Sequence, residues 1–186
     1  MSCHGGFSLD ESERRKWYNP EAVLKGIGLK PDMVFVDVGC GEGFFSLLAA
    51  EIVGDSGKIY AVDTDAKAIQ SLERKFVEKG FKNVDATVGT AEEIVFCLGC
   101  ADIVFYSMAL HDFNDPYKVL QNAKEMLKPT GTVVDLDWKK EKMPFGPPEA
   151  IRFSEQNASN LMQQAGFNVQ TMREAGSYHY LITAKV

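Results

Sequence analysis

Val34-Phe35-Val36-Asp37-Val38-Gly39-Cys40-Gly41-Glu42-Gly43 leaves a short apolar run, passes through three glycines and enters a stretch with helical spacing. Met33–Val38, bounded by Pro31 and Gly39, reads as a buried strand. Phe44–Val53 reads as a helix with Phe44, Leu47, Leu48 and Ile52 on one face, stopped by Gly54. Gly39 permits a tight turn, and Gly41 lets backbone approach a ligand without a Cβ in the way. The free N–H groups at the helix start favour a negatively charged ligand group. A dinucleotide fingerprint would read G-x-G-x-x-G, but here the register is G-x-G-x-G and Phe44 stands at the third position. A pyrophosphate needs close strand–helix approach at that point, which a Phe obstructs. No Lys-Ser/Thr follows, so a P-loop is excluded as well. The pattern fits a nucleoside ligand without a pyrophosphate.

Asp63 adds to this. It ends the second strand candidate, Gly57–Val62, where a carboxylate can accept from both hydroxyls of a ribose. Thr64 and Asp65 remain free to cap the helix that follows. The same strand-then-helix alternation continues outward. Ala66–Lys79 reads as a helix, Val84–Val88 as a strand, Ala91–Cys97 as a short helix or turn and Ala101–Ser107 as a strand. Asp115-Pro116 starts a helix to Leu127, and Thr132–Leu136 is a fifth strand. Ser154 caps a helix to Ala165, and Phe167–Met172 and Tyr178–Lys185 are joined too closely for a crossover helix, which makes them antiparallel. The expected fold is α/β: one mostly parallel, Rossmann-like seven-stranded sheet with an antiparallel last strand and helices on both faces. The division is 1–30 as an N-terminal helical cover and 31–186 as the ligand-binding domain; Lys139–Pro148 is a second covering segment.

The 186 residues carry a net charge of -6 and are 45% hydrophobic. That composition excludes bulk disorder, and no apolar run approaches the length of a membrane span. The acidic balance argues against a nucleic-acid partner. Met1-Ser2-Cys3-His4-Gly5-Gly6 lacks the features of a signal peptide, so a cytoplasmic protein with four reduced thiols is expected. Cys97-Leu98-Gly99-Cys100 has the spacing of half a zinc site, with Cys3-His4 as the conceivable remainder; two small residues in a loop is the plainer reading, and no metal is expected.

At this point the sequence resembles the class I S-adenosylmethionine-dependent methyltransferases, over roughly residues 30–186. The carriers are Asp37–Gly43, Ala61-Val62-Asp63 and Gly89-Thr90-Ala91-Glu92. Gly146-Pro147-Pro148, Arg152 and Ala165-Gly166-Phe167 look most like the ubiquinone/menaquinone-biosynthesis branch. The resemblance implies S-adenosylmethionine as cofactor, S-adenosylhomocysteine as product, and cofactor contacts at Asp37, Gly39, Cys40, Gly41, Asp63, Thr64, Thr90, Ala91 and Ser107. Gly39 and Gly41 would face the methionine part with Asp37 close by, Asp63 the ribose, Thr90 and Ala91 the adenine edge, and Ser107 the methionine end. The family often has Asp where Thr90 stands.

A sulfonium methyl is electrophilic unaided, so a catalytic side chain matters when the acceptor must lose a proton. Two candidates lie at strand ends. His111 is a possible base, oriented by Asp112 or Asp115, or else packs against core; His4 and His179 rank below it. Asp137 shares a face with Asp135 and lies nearer the substrate. Trp138 and Phe145 either stack on a planar acceptor or simply pack. Ser107-Met108-Ala109-Leu110 departs from the Asp/Asn-Pro-Pro-aromatic segment of base amino-methylases, and no Cys follows a Pro. Arg14-Arg15-Lys16 and Lys139-Lys140 with Lys142 are solvated surface or anion sites, and Trp17-Tyr18 is a possible lid. The expected partner is a small-molecule methyl acceptor. The alternatives are RNA or protein as acceptor on the same fold, or cofactor binding without turnover.

Overall fold

The computed structural model describes residues 11–186. Seven strands form one sheet: β1 (Val34–Val38), β2 (Lys58–Asp63), β3 (Val84–Val88), β4 (Ala101–Ser107), β5 (Leu127–Trp138), β6 (Asn168–Ala175) and β7 (His179–Lys185), in the order β3-β2-β1-β4-β5-β7-β6. β1 to β5 pair in parallel, whereas β7 runs antiparallel to both β5 and β6. The strand order reverses between β1 and β4, so the loop after β1 opens at the point where α/β sheets take ligands. Among the described residues six α-helices accompany the strands: α1 (Glu11–Trp17), α2 (Pro20–Gly26), α3 (Phe44–Val53), α4 (Ala66–Glu78), α5 (Pro116–Met126) and α6 (Glu155–Gln164).

Side-chain alternation sorts the strands onto two faces. Phe35, Ile59, Ala61, Ile103, Phe105, Val134 and Leu136 pack with residues of α2, α3 and α4. Val36, Val38, Val62, Val104, Tyr106 and Val133 pack with residues of α5 and α6. The same alternation carries polar residues to the carboxyl edge. Asp37, Asp63 and Ser107 fall on the α3 side; Asp135 and Asp137 fall on the α5 side.

Two features differ from the sequence expectation, the start of β5 and the state of two cysteines. Strand β5 begins at Leu127, not Thr132, because Leu127 pairs with Ala101 and Lys128, lying before Pro129, is steered to extended backbone. The last strand, β7, is antiparallel as expected; it lies between β5 and β6, so β6 forms the sheet edge. Cys97 and Cys100 are joined in a disulfide, in place of two of the expected reduced thiols; their Cα atoms lie 6.0 Å apart, within disulfide reach. Cys40 is free and buried. Cys3-His4 lies outside the described residues, and among those described no group of three or more His, Cys, Asp or Glu could hold a metal.

Residues of α2 and its flanks join the α3-side core through Tyr18, Val23, Leu24, Ile27 and Leu29. Asn19 starts α2 by accepting from Ala22 N at 2.8 Å. The Trp17 carbonyl rests on Gly176 (φ 72°) in the β6–β7 turn, where any Cβ would collide with it. Among the described residues no helix is long and apolar enough to cross a membrane.

Candidate active site

The glycine turn is held from below by β2. Val62 O accepts from Gly39 N at 2.8 Å and Cys40 N at 3.1 Å. Asp63 grips the turn from the side: its Oδ2 accepts from Gly41 N at 2.8 Å, and its Oδ1 accepts from Asp65 N at 2.9 Å. Asp65, not Asp63, caps α4, accepting from Lys67 N and Ala68 N at 2.8 and 3.3 Å. Each Asp63 oxygen thus keeps acceptor capacity beyond its one backbone N–H. Thr64 beside it is exposed.

Each glycine has its own reason. All three have positive φ. A Cβ on Gly41 would meet nothing within 4 Å, so that position stays open on the ligand side. A Cβ on Gly39 would lie 2.6 Å from the Ala109 Cβ, and one on Gly43 would drive into buried Leu72. Neither Ala109 nor the turn can rotate away, so Gly39→Ala is expected to lower stability by about 1–3 kcal/mol through left-handed strain plus the collision. Urea unfolding measures this; an unchanged midpoint would mean the turn can shift freely.

Asp37 is buried beneath the turn. Its Oδ2 accepts from Ser46 Oγ at 2.5 Å, while Oδ1 has no partner. Burial pushes this carboxyl up to about 6; the Ser46 bond and Arg14 pull it back, and Asp63 adds to the rise. Cys40 is also buried, its thiol pushed well up by burial and by Asp37 and Asp63, so it stays a neutral wall. An orphaned buried carboxylate oxygen, an open Gly41 and a ribose-height Asp63 together suit a ligand with a cationic end and a nucleoside end, as S-adenosylmethionine has.

Thr90 and Ala91 form the turn after β3. Thr90 O accepts from Glu93 N and Ile94 N at 3.1 and 3.2 Å. The turn is clamped from α5: Asn122 Nδ2 donates to Ala91 O and Glu92 O, both at 2.9 Å. Glu92 Oε1 in return accepts from Asn114 N and Asp115 N at 3.1 and 3.3 Å. Asn122 carried no signal in the sequence, where it reads as one polar residue in a helix.

Ser107 ends β4, and its Oγ accepts from Arg14 Nη2 at 3.0 Å. The basic trio of the first helix is therefore split. Arg14 turns inward with its guanidinium 4.1 Å from the Phe44 ring centroid, whereas Arg15 pairs with Glu21 and Lys16 with Glu13. After Ser107, Met108 takes a left-handed conformation (φ 56°), and its N–H donates to Leu136 O at 2.7 Å. A non-glycine residue held there is strained, a conformation that clusters at functional sites. It places Ala109 against Gly39 and starts a 3₁₀ turn at Leu110–Asp112.

That turn brings the two catalytic candidates together. His111 Nδ1 lies 2.8 Å from Asp137 Oδ2, and both side chains are buried. Asp137 Oδ1 accepts from Trp138 N at 2.7 Å, which fixes the carboxylate. The orienting residue is thus Asp137, in place of the expected Asp112 or Asp115. Asp112 Oδ1 lies 3.6 Å from His111 Nε2, and Asp115 is spent capping α5, where it accepts from Lys118 N at 2.9 Å. Burial pulls the His111 pKa down, but Asp137 and Asp112 outweigh it and the net shift is upward. Asp135, on the same face, is pushed well up by burial and by Asp137.

The aromatic candidates pack with one another. Trp17 stacks on Phe145 with centroids 5.3 Å apart and planes within 3°, and Trp138 meets His179 at 4.3 Å. His179 is buried and pushed down to about 3 by burial, with Arg14, Arg152 and Lys139 adding to the shift, so its ring is neutral. Lys139 is buried and pairs with Glu174 at 2.8 Å, so it is not solvated surface. Arg152 shapes the covering loop by donating to the carbonyls of Lys139, Glu141, Phe145 and Pro147.

Known proteins match this arrangement. A family model described as a methyltransferase domain matches residues 29–177. The demethylmenaquinone methyltransferase of Bacillus velezensis is 28% identical over 134 residues, covering 72% of this chain and 56% of that protein. The nocamycin O-methyltransferase of Saccharothrix syringae is 29% identical over 120 residues, covering 63% of this chain and 43% of that protein. The chain spans about half the length of these curated relatives. The crystal structure of a SAM dependent methyltransferase from Aquifex aeolicus superposes with a TM-score of 0.86 at 31% identity, covering 95% of this chain and 98% of that one. The glycine turn, the strand order and the family match over residues 29–177 agree: the chain belongs to the methyltransferase-domain family.

Proposed function

We propose that the chain transfers a methyl group from S-adenosylmethionine to a small-molecule acceptor, and that it works in the cytoplasm. The observation that carries this reading is the pairing of Asp63 with the open Gly41 turn above the unpartnered Asp37 oxygen. When bound, S-adenosylmethionine supplies an electrophilic methyl group and leaves as S-adenosylhomocysteine. Asp63 would hold the ribose, the clamped Thr90–Ala91 turn the adenine edge, and Asp37 the cationic end; Cys40 and Thr64 would border the site. His111, with Asp137 holding Nδ1–H, would take the acceptor's proton at Nε2 as its nucleophilic atom bonds to the methyl carbon. Helices α1 and α2 would serve as the cover of the site. The net charge of -6 weighs against RNA as acceptor.

Calorimetric titration of the purified protein with S-adenosylmethionine tests the core of this reading. Micromolar binding is expected; no heat at millimolar ligand would sink it. A pH series adds a sign. Asp37 attracts a cation only when ionised, and its pKa lies at about 6. Affinity should therefore rise from pH 5 to pH 7 and flatten above, by up to about tenfold per pH unit below 6. An Asp37→Asn variant should bind more weakly with a flatter profile; an equally steep profile in that variant would assign the effect elsewhere.

A further inference from the structure

Helix α1 carries a charged side chain into the site from outside the stretch that the family model matches, which begins at residue 29. Arg14 donates to Ser107 Oγ at 3.0 Å through Nη2, and its guanidinium lies 4.1 Å from the ring centroid of Phe44, the first residue of α3. Its Nε is buried with no hydrogen-bond partner. Tyr18, only 8% exposed, presents a hydroxyl that likewise has no partner. Burial pushes the Tyr18 hydroxyl up, and Arg14 and Ser107 both lie close enough to it to pull part of the way back. The neighbouring start of α3 is capped by Gly43 without a side-chain hydrogen bond, and its first turn holds no acidic residue. Its N–H groups therefore favour an anion. Asp37, on the same sheet face, contributes the unpartnered acceptor Oδ1.

Unused donors and one unused carboxylate oxygen, grouped at the ends of β1 and β4, are complementary to a zwitterion. The amino-acid end of S-adenosylmethionine is one: its ammonium suits Asp37, and its carboxylate needs donors. We propose that Arg14 and Tyr18 clamp the carboxylate of the cofactor's amino-acid end, so that α1 is part of the cofactor site. This rests on the function proposed above. An acceptor anion is the less favoured occupant, because the proton-accepting pair His111–Asp137 is built from the opposite face of the sheet. The seat of α1 is otherwise independent of Arg14: Trp17 lies on Gly176 and stacks on Phe145.

The test compares two ligands by calorimetry on wild type, Arg14→Gln, Arg14→Lys and Tyr18→Phe. S-adenosylhomocysteine has the amino-acid end; 5′-methylthioadenosine has the same nucleoside and thioether without it. Arg14→Gln should weaken S-adenosylhomocysteine binding by about tenfold to a hundredfold, the usual loss for a hydrogen bond to a charged group, and leave methylthioadenosine within about twofold. Arg14→Lys should recover part of the loss, and Tyr18→Phe should cost several-fold on the first ligand alone. Equal weakening of both ligands would reduce α1 to a structural cover, and undiminished S-adenosylhomocysteine binding would give Arg14 to the acceptor; either overturns the clamp. Failure of wild type to bind either ligand overturns the function itself, a result distinct from both. Thermal unfolding of each variant, measured alongside, separates a variant that failed to fold from a folded one whose two affinities weaken equally.

Discussion

Asp63→Ala is expected to weaken S-adenosylhomocysteine binding by about thirtyfold or more, with a loss of order 2 kcal/mol or above. Two losses combine. The ribose hydroxyls lose their charged acceptor, and Gly41 N and Asp65 N lose the oxygens that hold them at 2.8 and 2.9 Å. The turn then has no side-chain tether, and a pre-organised ligand surface becomes one that must be ordered on binding. Asp63→Asn is expected to be nearly as weak. Both carboxylate oxygens accept from backbone N–H groups, and an amide nitrogen in place of either sets donor against donor. Calorimetry with thermal unfolding separates the parts: the melting temperature should fall by a few degrees, while affinity falls much further. Affinity within threefold of wild type would remove Asp63 from the cofactor site.

His111→Gln should lower kcat by about 10²- to 10⁴-fold with any acceptor that loses a proton, and leave S-adenosylhomocysteine affinity almost unchanged. The base must be neutral to act. Because the net shift of His111 is upward, the rate should rise with pH through a midpoint above the ordinary histidine value of about 6.5. Asp137→Asn removes the charge that raises it, so the midpoint should move down. The variant should still be slow: an Asn Nδ2–H facing Nδ1 moves the ring proton to Nε2, where the acceptor's proton must go. Single-turnover rates across pH 5–9 test both statements. An Asp137→Asn profile superposable on wild type would mean that His111 does not accept the proton.

Single residues show how far the one-dimensional pattern reached. Gly39, Gly41 and Asp63 were legible because each follows a strand whose apolar run stops abruptly, and backbone geometry dictates residue type there. Asp115-Pro116 as the α5 start was legible for the same local reason, whereas Thr64 and Asp65 were both open as the α4 cap until the fold chose Asp65. The sequence starts β5 only at Thr132, because Lys128-Pro129 reads as a helix stop; the pairing of Leu127 with Ala101 keeps the segment extended. Arg14 looked like one of three exposed cations. Only the seating of α1 on Gly176 turns it inward while Arg15 and Lys16 find acidic partners. His111 invited pairing with its sequence neighbours Asp112 and Asp115. Its partner proved to be Asp137, because the left-handed turn at Met108 folds the segment back over β5.

The amino-acid sequence by itself determined the alternation of strand and helix, the glycine turn and the acidic residue at the end of β2, and from these the methyltransferase-type fold. Those signals are local: hydrophobic period, positive-φ positions and caps act within a few residues. The tertiary structure alone decided which side chains meet across the carboxyl edge. The His111–Asp137 pair, the Asn122 clamp on the Thr90–Ala91 turn and the inward Arg14 join residues 26, 31 and 93 positions apart. Such meetings depend on strand order and on which face each side chain takes, and both are set by packing.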